Sequence, residues 1–303
     1  MTLKSVTRCG FVAILGAPNA GKSTLVNRLT GAKVSIVSHK AQTTRRPVRG
    51  IAAVGASQLV FVDTPGIFSP RRRLDRAMIA AAWRGAAEAD LIVPIVDAAK
   101  SRGEETDRLI ADLSPIAVPK CVVLNKVDRV PDKAALLPVA ADLAAKLADA
   151  PIFMVSALTG DGIDALQNYL AETVPEGPWH YPADEISDLP ERIFAAEATR
   201  EKIYNRLHDE LPYAATVETT AWQDRKDGSV RIEQTIYVER DSQKKIVLGK
   251  GGAAVRQISM DARAELADIL KRPVHLFLFV KVRPRWAEDP ERYREIGLEF
   301  PKD

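Results

Sequence analysis

The segment Gly16–Thr24, GAPNAGKST, constrains the fold of this chain most, because it directly follows the apolar run Phe11–Leu15. It matches G-x-x-x-x-G-K-[ST], a phosphate-binding loop when it lies between a strand and a helix. The glycines let backbone N–H groups point at phosphate oxygens, and the helix N-terminus favours negative charge. An ordinary glycine-rich turn is the alternative. The predicted nucleotide-binding residues here are Gly16, Ala17, Pro18, Asn19, Ala20, Gly21, Lys22, Ser23 and Thr24.

Within this loop Lys22 is predicted to reach the β- and γ-phosphates, and Ser23 is predicted to ligate Mg²⁺. A second segment, Asp63–Gly66 (DTPG), closes the apolar run 59–62. An Asp there can hold Mg²⁺ directly or through water, and the Gly66 N–H can meet the γ-phosphate. DTPG alone is weak evidence for a nucleotide site, since many strands end in a Pro-Gly turn. The contacts predicted here are Asp63, Thr64, Pro65, Gly66 and Ile67.

A third segment, Asn125–Asp128 (NKVD), predicts which base is bound. A carboxylate at Asp128 can accept from both the ring N–H and the exocyclic amine of guanine, whereas adenine offers no such pair of donors. Asn125 is predicted to bond the base and tie this loop to the phosphate loop, and the Lys126 stem to cover the base. Backbone N–H groups of Ser156, Ala157 and Leu158, after a further strand, would touch the guanine carbonyl.

The polar stretch 37–46 between the first two motifs lacks hydrophobic periodicity. It is predicted to be a switch loop that orders around GTP, with a hydroxyl that completes the Mg²⁺ shell. We favour Thr44 over Thr43 for that hydroxyl, so the predicted Mg²⁺ ligands are Ser23, Thr44 and Asp63. A plain surface loop is the alternative. Catalytic roles are predicted for Lys22, Thr44 and Gly66.

Ile67 follows DTPG, where the Ras pattern has a Gln that orients the attacking water. Because an Ile cannot do this, hydrolysis must rely on positioning, Mg²⁺, a bound cation or a partner. Asn19 is a candidate ligand for K⁺; alternatively, Asn19 only caps the loop.

Apolar runs alternate with helix-like segments up to about residue 174. This pattern predicts an α/β fold with a mainly parallel sheet and helices on both faces. The predicted organisation is a nucleotide-binding domain over 1–174, a Pro-rich linker over 175–190, and a second domain with a C-terminal extension over 191–303. The second domain is expected to run helix–strand–strand–helix–helix–strand.

The stretch Lys244–Arg256 contains the G-x-x-G loop Gly249–Gly252 between two helix-like segments. A KH domain uses such a loop to clamp about four unpaired nucleotides. The loop lies in a positive stretch, because residues 240–285 carry eleven Lys or Arg against four Asp or Glu. A G-x-x-G motif alone is weak evidence for a KH domain. The excess of positive charge around it and the order of elements favour a type II KH fold. The predicted RNA-binding residues are Lys244, Lys245, Gly249, Lys250, Gly251, Gly252 and Arg256.

Taken together, GAPNAGKST, QTTRR, DTPG, NKVD, SAL and LGKGG resemble the Era family of bacterial GTPases, over nearly the whole chain. The resemblance implies a P-loop GTPase domain followed by a type II KH domain. It implies a GTP-hydrolysing switch that binds 16S rRNA near its 3′ end during assembly of the 30S ribosomal subunit. It also implies peripheral contact with the inner membrane. Arg46 departs from the family motif, which has His there.

Composition bears on where in the cell the protein is expected to be. No apolar run is long enough to span a bilayer, and the N-terminus lacks the apolar region of a signal peptide, so we expect a cytoplasmic protein. Three classes compete: a GTPase whose output is RNA binding, a GTPase with a protein or membrane partner, and an ATP-driven enzyme. Asp128 argues against the third, and the Gly249–Gly252 loop favours the first. DNA is not expected as a partner.

Overall fold

The computed structural model describes residues 6–40, 42–101, 103–207 and 211–301. These residues form two compact units. The first holds the described residues among 1–35, 44–188 and 296–303, and the second holds those among 36–43 and 189–295. The division after residue 188 falls within the predicted linker, while the short segment 36–43 groups with the second unit. The predicted domain boundaries stay a prediction.

The first unit is built on a six-stranded sheet in the order β2-β3-β1-β4-β5-β6. Its strands are β1 Arg8–Leu15, β2 Val48–Val54, β3 Ser57–Asp63, β4 Leu91–Asp97, β5 Val122–Asn125 and β6 Ile152–Val155. Its helices are α1 Lys22–Thr30, α2 Arg73–Ala87, α3 Glu104–Leu113, α4 Leu137–Lys146 and α5 Ile163–Thr173. All strand pairs are parallel except β2 with β3. The α/β fold class with a mainly parallel sheet is confirmed; the antiparallel edge strand β2 was not predicted.

Apolar side chains cover both faces of this sheet, which is why its strands read as nearly continuous hydrophobic runs. Val12 and Ile14 belong to one hydrophobic cluster, and Ala13 and Leu15 belong to the cluster on the other side. Every residue of β3 is buried. Because the five parallel strands end at the same edge, the loops that follow them are brought together there, the usual place for a ligand in such folds.

The second unit contains a three-stranded sheet in the order β7-β8-β9. In chain order its elements are α6 Glu191–Arg206, β7 Thr216–Asp224, β8 Val230–Val238, α7 Asp241–Leu248, α8 Ala253–Leu270, β9 Val274–Val282 and the short α9 Pro290–Glu295. The first pair of strands is antiparallel and the second is parallel. From α6 to β9 this is the predicted order of elements.

Both cysteines, Cys9 and Cys121, are buried and form no disulfide. Among the residues that the structure describes, no group of His, Cys, Asp or Glu side chains is arranged to hold a metal ion by itself. None of the helices in the described part of the chain has the length and apolar character needed to cross a bilayer.

Candidate nucleotide site and nucleic-acid interface

The phosphate loop connects β1 to α1, and its lysine is folded over it. Lys22 Nζ donates to the carbonyl oxygens of Gly16 (3.0 Å) and Ala17 (2.9 Å). Burial lowers the pKa of Lys22 to about 8, although the Asp63 carboxylate opposes the effect. The ammonium group thus lies at the centre of the loop, held by carbonyl oxygens that a phosphate could replace.

Two glycines of this loop have no room for a side chain. Gly21 has a φ of 101°, which L side chains rarely adopt, and a Cβ there would lie 2.2 Å from Nδ2 of Asn125. A Cβ at Gly16 would lie 2.5 Å from the Ile95 carbonyl oxygen. The backbone therefore curls as a phosphate loop requires only while both positions stay glycine.

A cluster of oxygen atoms lies beside the loop, at the start of α1 and the end of β3. Ser23 Oγ donates to Asp63 Oδ2 at 2.8 Å, and Thr44 Oγ1 donates to the same carboxylate oxygen at 3.2 Å. The two hydroxyl oxygens are 2.9 Å apart. The Thr43 hydroxyl instead donates to the Lys40 carbonyl at 2.8 Å. The structure thus brings Thr44, and not Thr43, to Ser23 and Asp63.

The Asp63 carboxylate in this cluster is fully buried. Its Oδ1 accepts no hydrogen bond from the described residues. Burial raises the pKa of Asp63, and the Ser23 hydrogen bond and the Lys22 charge counteract part of that rise. A buried carboxylate oxygen without a donor, next to two hydroxyl oxygens, fits a hard cation such as Mg²⁺, which prefers oxygen ligands.

The DTPG segment packs directly against the phosphate loop. The Thr64 hydroxyl donates to the Ile14 carbonyl at 2.6 Å, and the Ile67 N–H donates to the Gly16 carbonyl at 3.0 Å. A Cβ at Gly66 would lie 3.0 Å from backbone atoms of Pro18. The Ile67 side chain is buried in a hydrophobic cluster. It therefore cannot take the role that a Gln has at this position in the Ras pattern.

The loop after β5 is tied to the phosphate loop by a buried amide. Asn125 Nδ2 donates to the Ala20 carbonyl at 2.9 Å, and Asn125 Oδ1 accepts from the Ala157 N–H at 3.0 Å. The tie predicted for Asn125 is present, and it extends to the SAL loop. The Ala157 N–H that we expected at the guanine carbonyl is engaged by Asn125 in this structure.

Lys126 and Asp128 follow Asn125 and differ in their surroundings. Lys126 has a φ of 66°, and its Nζ donates to the Asn19 carbonyl (2.5 Å) and to Asp97 Oδ2 (2.7 Å). Asp128 lies in a single helical turn and is exposed. Asn19, the candidate K⁺ ligand, also has a positive φ, of 62°. The carboxylate of Asp128 is accessible to a base, while Lys126 links its own loop to the phosphate loop.

Sequence reasoning missed two residues that shape this site. Asp97 ends β4 and holds the Lys126 ammonium. Arg28 on α1 donates to the carbonyls of Ala157 (3.1 Å) and Leu158 (2.5 Å). The position of Asp97 at the carboxyl end of an apolar run was a usable signal. Nothing in the sequence around Arg28 indicates a target more than a hundred residues away.

The segment before Thr44 docks within the second unit, on α6. The Val37 N–H donates to Glu201 Oε1 at 2.7 Å, and Arg200 donates to the Thr43 carbonyl at 2.5 Å. Lys40 Nζ donates to the Tyr204 carbonyl at 2.5 Å and also to the carbonyl of Leu207. The predicted switch loop is therefore held by a helix of the second unit up to Thr43.

The Gly249–Gly252 loop joins α7 to α8 in the second unit. Gly249 has a φ of 71°, and a Cβ there would lie 2.9 Å from the Ala254 nitrogen. Gly252, the residue before α8, has no side chain that could cap this helix. The N–H groups in the first turn of α8 therefore remain available to a ligand at the loop. Lys250 and Arg256 are exposed. Among the described residues, no carboxylate pairs with them or with Lys244 and Lys245. The loop thus combines close backbone access with uncompensated positive charge.

Comparison with family models gives two matches. Residues 11–126 match a family described as 50S ribosome-binding GTPase, and residues 210–287 match the KH domain. The first match covers the phosphate loop and the DTPG segment and ends at Lys126, before Asp128, and the second covers the Gly249–Gly252 loop.

Comparison with whole proteins gives relatives of similar length. The chain is 62% identical over 296 residues to GTPase Era of Rhizobium meliloti (strain 1021), covering 98% of this chain and 94% of that protein. It is 59% identical over 300 residues to GTPase Era of Bradyrhizobium sp. (strain ORS 278), covering 99% and 97% of the two chains.

Solved structures with the same fold include two of Era, both 37% identical to this chain. One is Era in complex with MgGDPNP and nucleotides 1506–1542 of 16S ribosomal RNA, with a TM-score of 0.92. The other is a variant of Aquifex aeolicus Era bound to GDP and AlF4⁻, with a TM-score of 0.91. Each alignment covers 96% of this chain and 99% of the solved one.

Proposed function

Because the chain belongs to the Era family of GTPases, and is therefore a GTP-hydrolysing switch that binds RNA, we propose that its RNA is the 3′ region of 16S rRNA. We further propose that it acts in assembly of the 30S subunit. The observation that carries the proposal is the Gly249–Gly252 loop with its uncompensated lysines. The alternative, a protein or membrane partner in place of RNA, is not favoured by a KH domain and a relative bound to 16S rRNA.

The choice of ribosomal subunit needs an argument, because the family model that matches residues 11–126 is described by the 50S subunit. That match covers only the nucleotide-binding part. The Era complex with 16S rRNA aligns over 96% of this chain and includes the second unit. Since the RNA-binding loop lies in the second unit, we give the 16S assignment more weight.

For nucleotide binding, we propose that the four loops at the carboxyl edge of the first sheet hold GTP. Asp128 accepts from guanine, and Asn125 keeps its loop in register with the phosphate loop. The Lys22 ammonium exchanges its two carbonyl partners for phosphate oxygens, whose negative charge favours the protonated form of a group whose pKa burial has lowered to about 8. The exposed position of Asp128 and the Asn125 hydrogen bonds support these roles.

We propose that Ser23, Asp63 and Thr44 hold Mg²⁺. The buried Asp63 oxygen without a donor supports this assignment. When bound, the ion would supply positive charge that neutralises charge developing on the phosphates during hydrolysis. Thr44 would leave its hydrogen bond to Asp63 and direct its hydroxyl oxygen at the ion. The Gly66 N–H would donate to the γ-phosphate. Asn19 is proposed as a K⁺ ligand.

Peripheral contact with the inner membrane, by a protein otherwise in the cytoplasm, is proposed on the resemblance to Era alone. Its test is co-flotation with vesicles of bacterial inner-membrane lipids, with GTP or GDP. Recovery of the protein only in the soluble fraction in both states would contradict it.

The RNA role is tested with Lys250→Asp combined with Gly251→Asp, which places negative charges where phosphates would lie. RNA affinity should fall by at least tenfold. The salt dependence should flatten, because each lost phosphate contact lowers the slope by about 0.7 for a single strand. Filter binding with the 3′ terminal segment of 16S rRNA measures both, and GTP affinity should not change.

A matched control is Lys226→Asp with Gly228→Asp in the β7–β8 turn. It makes the same charge change, and Gly228, like Gly251, has a positive φ and open space around its Cβ. Co-sedimentation of the protein with purified 30S or 50S subunits shows which ribosomal subunit it binds. Equal RNA binding by wild type and the Lys250 variant would overturn the role of the loop, and binding to 50S alone would overturn the 16S assignment.

A further inference from the structure

The SAL loop after β6 uses most of its backbone N–H groups to hold its own shape. The Ser156 N–H donates to the Asp161 carbonyl at 3.0 Å, and the Gly160 N–H donates to the Ser156 carbonyl at 2.8 Å. The Thr159 N–H donates to Oγ of Ser156 at 3.1 Å. These three N–H groups are therefore occupied inside the loop and are not available to a ligand.

The two residues between them, Ala157 and Leu158, have N–H groups in different situations. The Ala157 N–H donates to Oδ1 of Asn125 at 3.0 Å. The Leu158 N–H has no acceptor among the residues that the structure describes, and Leu158 is 67% exposed. Within 156–160, where every residue is described, the Leu158 N–H is thus the one backbone donor open to a ligand.

Arg28 on α1 fixes the direction of that N–H group. Arg28 Nε donates to the Ala157 carbonyl at 3.1 Å, and Nη2 donates to the Leu158 carbonyl at 2.5 Å. The peptide bond between Ala157 and Leu158 is trans, so its C=O and its N–H point in opposite directions within one plane. Because Arg28 holds the C=O, the Leu158 N–H points away from the guanidinium. Arg28 thus orients a donor that it does not itself contact.

The contacts of Arg28 argue against a role confined to its own helix. Arg28 lies in the last turn of α1, where the helix dipole favours a positive charge. Its guanidinium nevertheless bonds two carbonyl groups of a loop that is 129 and 130 residues away in sequence. In the described part of the chain, no carboxylate pairs with Arg28. Its forked donors are therefore committed to the SAL loop, in a geometry that a single ammonium group does not offer.

From these contacts we propose that Arg28 is a positioning residue for guanine recognition. It holds the peptide between Ala157 and Leu158 so that the Leu158 N–H donates to the carbonyl oxygen of guanine. Adenine carries an amine at that position, so two donors would face each other. Asp128 reads the ring N–H and the exocyclic amine, and the two residues thus act on different groups of one base. The inference rests on the nucleotide site proposed above.

The test compares three nucleotides by competition against a fluorescent GDP analogue. 6-Thio-GTP has sulfur, a weaker acceptor, in place of the guanine carbonyl oxygen and keeps both groups that Asp128 contacts. ITP keeps the carbonyl oxygen and lacks the exocyclic amine. Arg28→Met should lower the preference for GTP over 6-thio-GTP by roughly 2- to 12-fold, the range of one uncharged hydrogen bond. The preference for GTP over ITP should not change, because it depends on Asp128.

Two further variants separate positioning from a general loss of structure. Gln167→Met removes another hydrogen bond to α1, from Nε2 to the Leu29 carbonyl at 3.0 Å, at a residue outside the SAL loop. It should leave both preferences at their wild-type values. Arg28→Lys keeps one charged donor and should retain part of the preference for GTP over 6-thio-GTP.

The outcomes distinguish this inference from the nucleotide site on which it rests. If Arg28→Met keeps the wild-type preference for GTP over 6-thio-GTP, or weakens both preferences equally, Arg28 does not position the donor and the nucleotide site stands. If the wild-type protein binds ATP as tightly as GTP, the proposed nucleotide site fails as well.

Discussion

At the scale of single residues, Asn125 and Asp128 lie three positions apart and have different roles. Asn125 is buried, and its amide joins the phosphate loop to the SAL loop. Asp128 is exposed, and no described hydrogen bond holds its side chain. The first residue shapes the site in the absence of a ligand. The second is left accessible for a base, so its substitution should alter recognition without altering the fold.

Asp128→Asn is expected to exchange guanine selectivity for xanthine selectivity. The amide presents a donor where xanthine has an acceptor, while the paired donors of guanine lose their carboxylate. Loss of such charge-assisted hydrogen bonds costs about 1.5–3 kcal/mol, so the Kd for GTP should rise by roughly 10- to 150-fold. Competition binding with GTP, xanthosine triphosphate and ATP measures this.

Asn125→Ala is the natural comparison, because it should lower both GTP affinity and the melting temperature, while Asp128→Asn lowers only the former. If ATP competes with GTP equally in the wild-type protein, Asp128 does not select the base.

At the scale of elements, the loop before Thr44 is held against α6 by charged hydrogen bonds. Lys40 donates to carbonyl groups at the C-terminal end of that helix, where a positive charge is favoured. Arg200 is fully buried, pairs with Glu197 and holds the Thr43 carbonyl. Thr44, the residue proposed to reach Mg²⁺, thus directly follows in sequence a segment that is held on α6.

Lys40→Met is expected to loosen this loop, because it keeps the apolar stem and removes the ammonium group. A charge-assisted hydrogen bond contributes about 1.5–3 kcal/mol. The Mg²⁺ concentration that supports half-maximal GTP hydrolysis should therefore rise several-fold, and proteolysis within 37–44 should accelerate. Lys226→Met, at an exposed lysine in the β7–β8 turn, is the control. An unchanged Mg²⁺ requirement together with unchanged proteolysis would show that the docked loop does not position Thr44.

The elements also show how far sequence reasoning reaches. Long apolar runs, such as Leu91–Asp97, predicted buried strands, and ordered motifs predicted which loops meet. The edge strand β2 was missed because Arg49 and Gly50 interrupt its apolar pattern and its pairing with β3 exists only in the folded sheet. Arg28 was missed because its partners are distant in sequence, whereas Asp97 was missed although its place at the end of an apolar run was a usable signal. Docking of the switch loop on α6 likewise depends on contacts that no local pattern encodes.

At the scale of the whole molecule, GTP turnover is expected to depend on more than the chain alone. The Ile67 side chain is packed into the core, and no other described side chain in the DTPG segment can replace a water-orienting Gln. The protein should therefore hold GTP for long periods unless a cation or a bound partner completes the site.

The unassisted rate should fall on the order of 10⁻⁴–10⁻² s⁻¹, the range of GTPases without an activator. Replacing K⁺ by Na⁺ should lower it if Asn19 helps to hold a monovalent cation. Single-turnover hydrolysis in matched KCl and NaCl measures both, with Asn19→Ala as the variant that should erase the difference. Identical rates for wild type in the two salts would remove the cation role.

The 2.2 Å separation between a Cβ at Gly21 and the Asn125 amide has a consequence for inherited variation. Any residue other than glycine at position 21 collides with the amide that ties two loops together. Shortening residue 125 would make space but would also delete that tie. Neither change therefore restores what the other removes, so we expect glycine at position 21 and asparagine at position 125 to be required together.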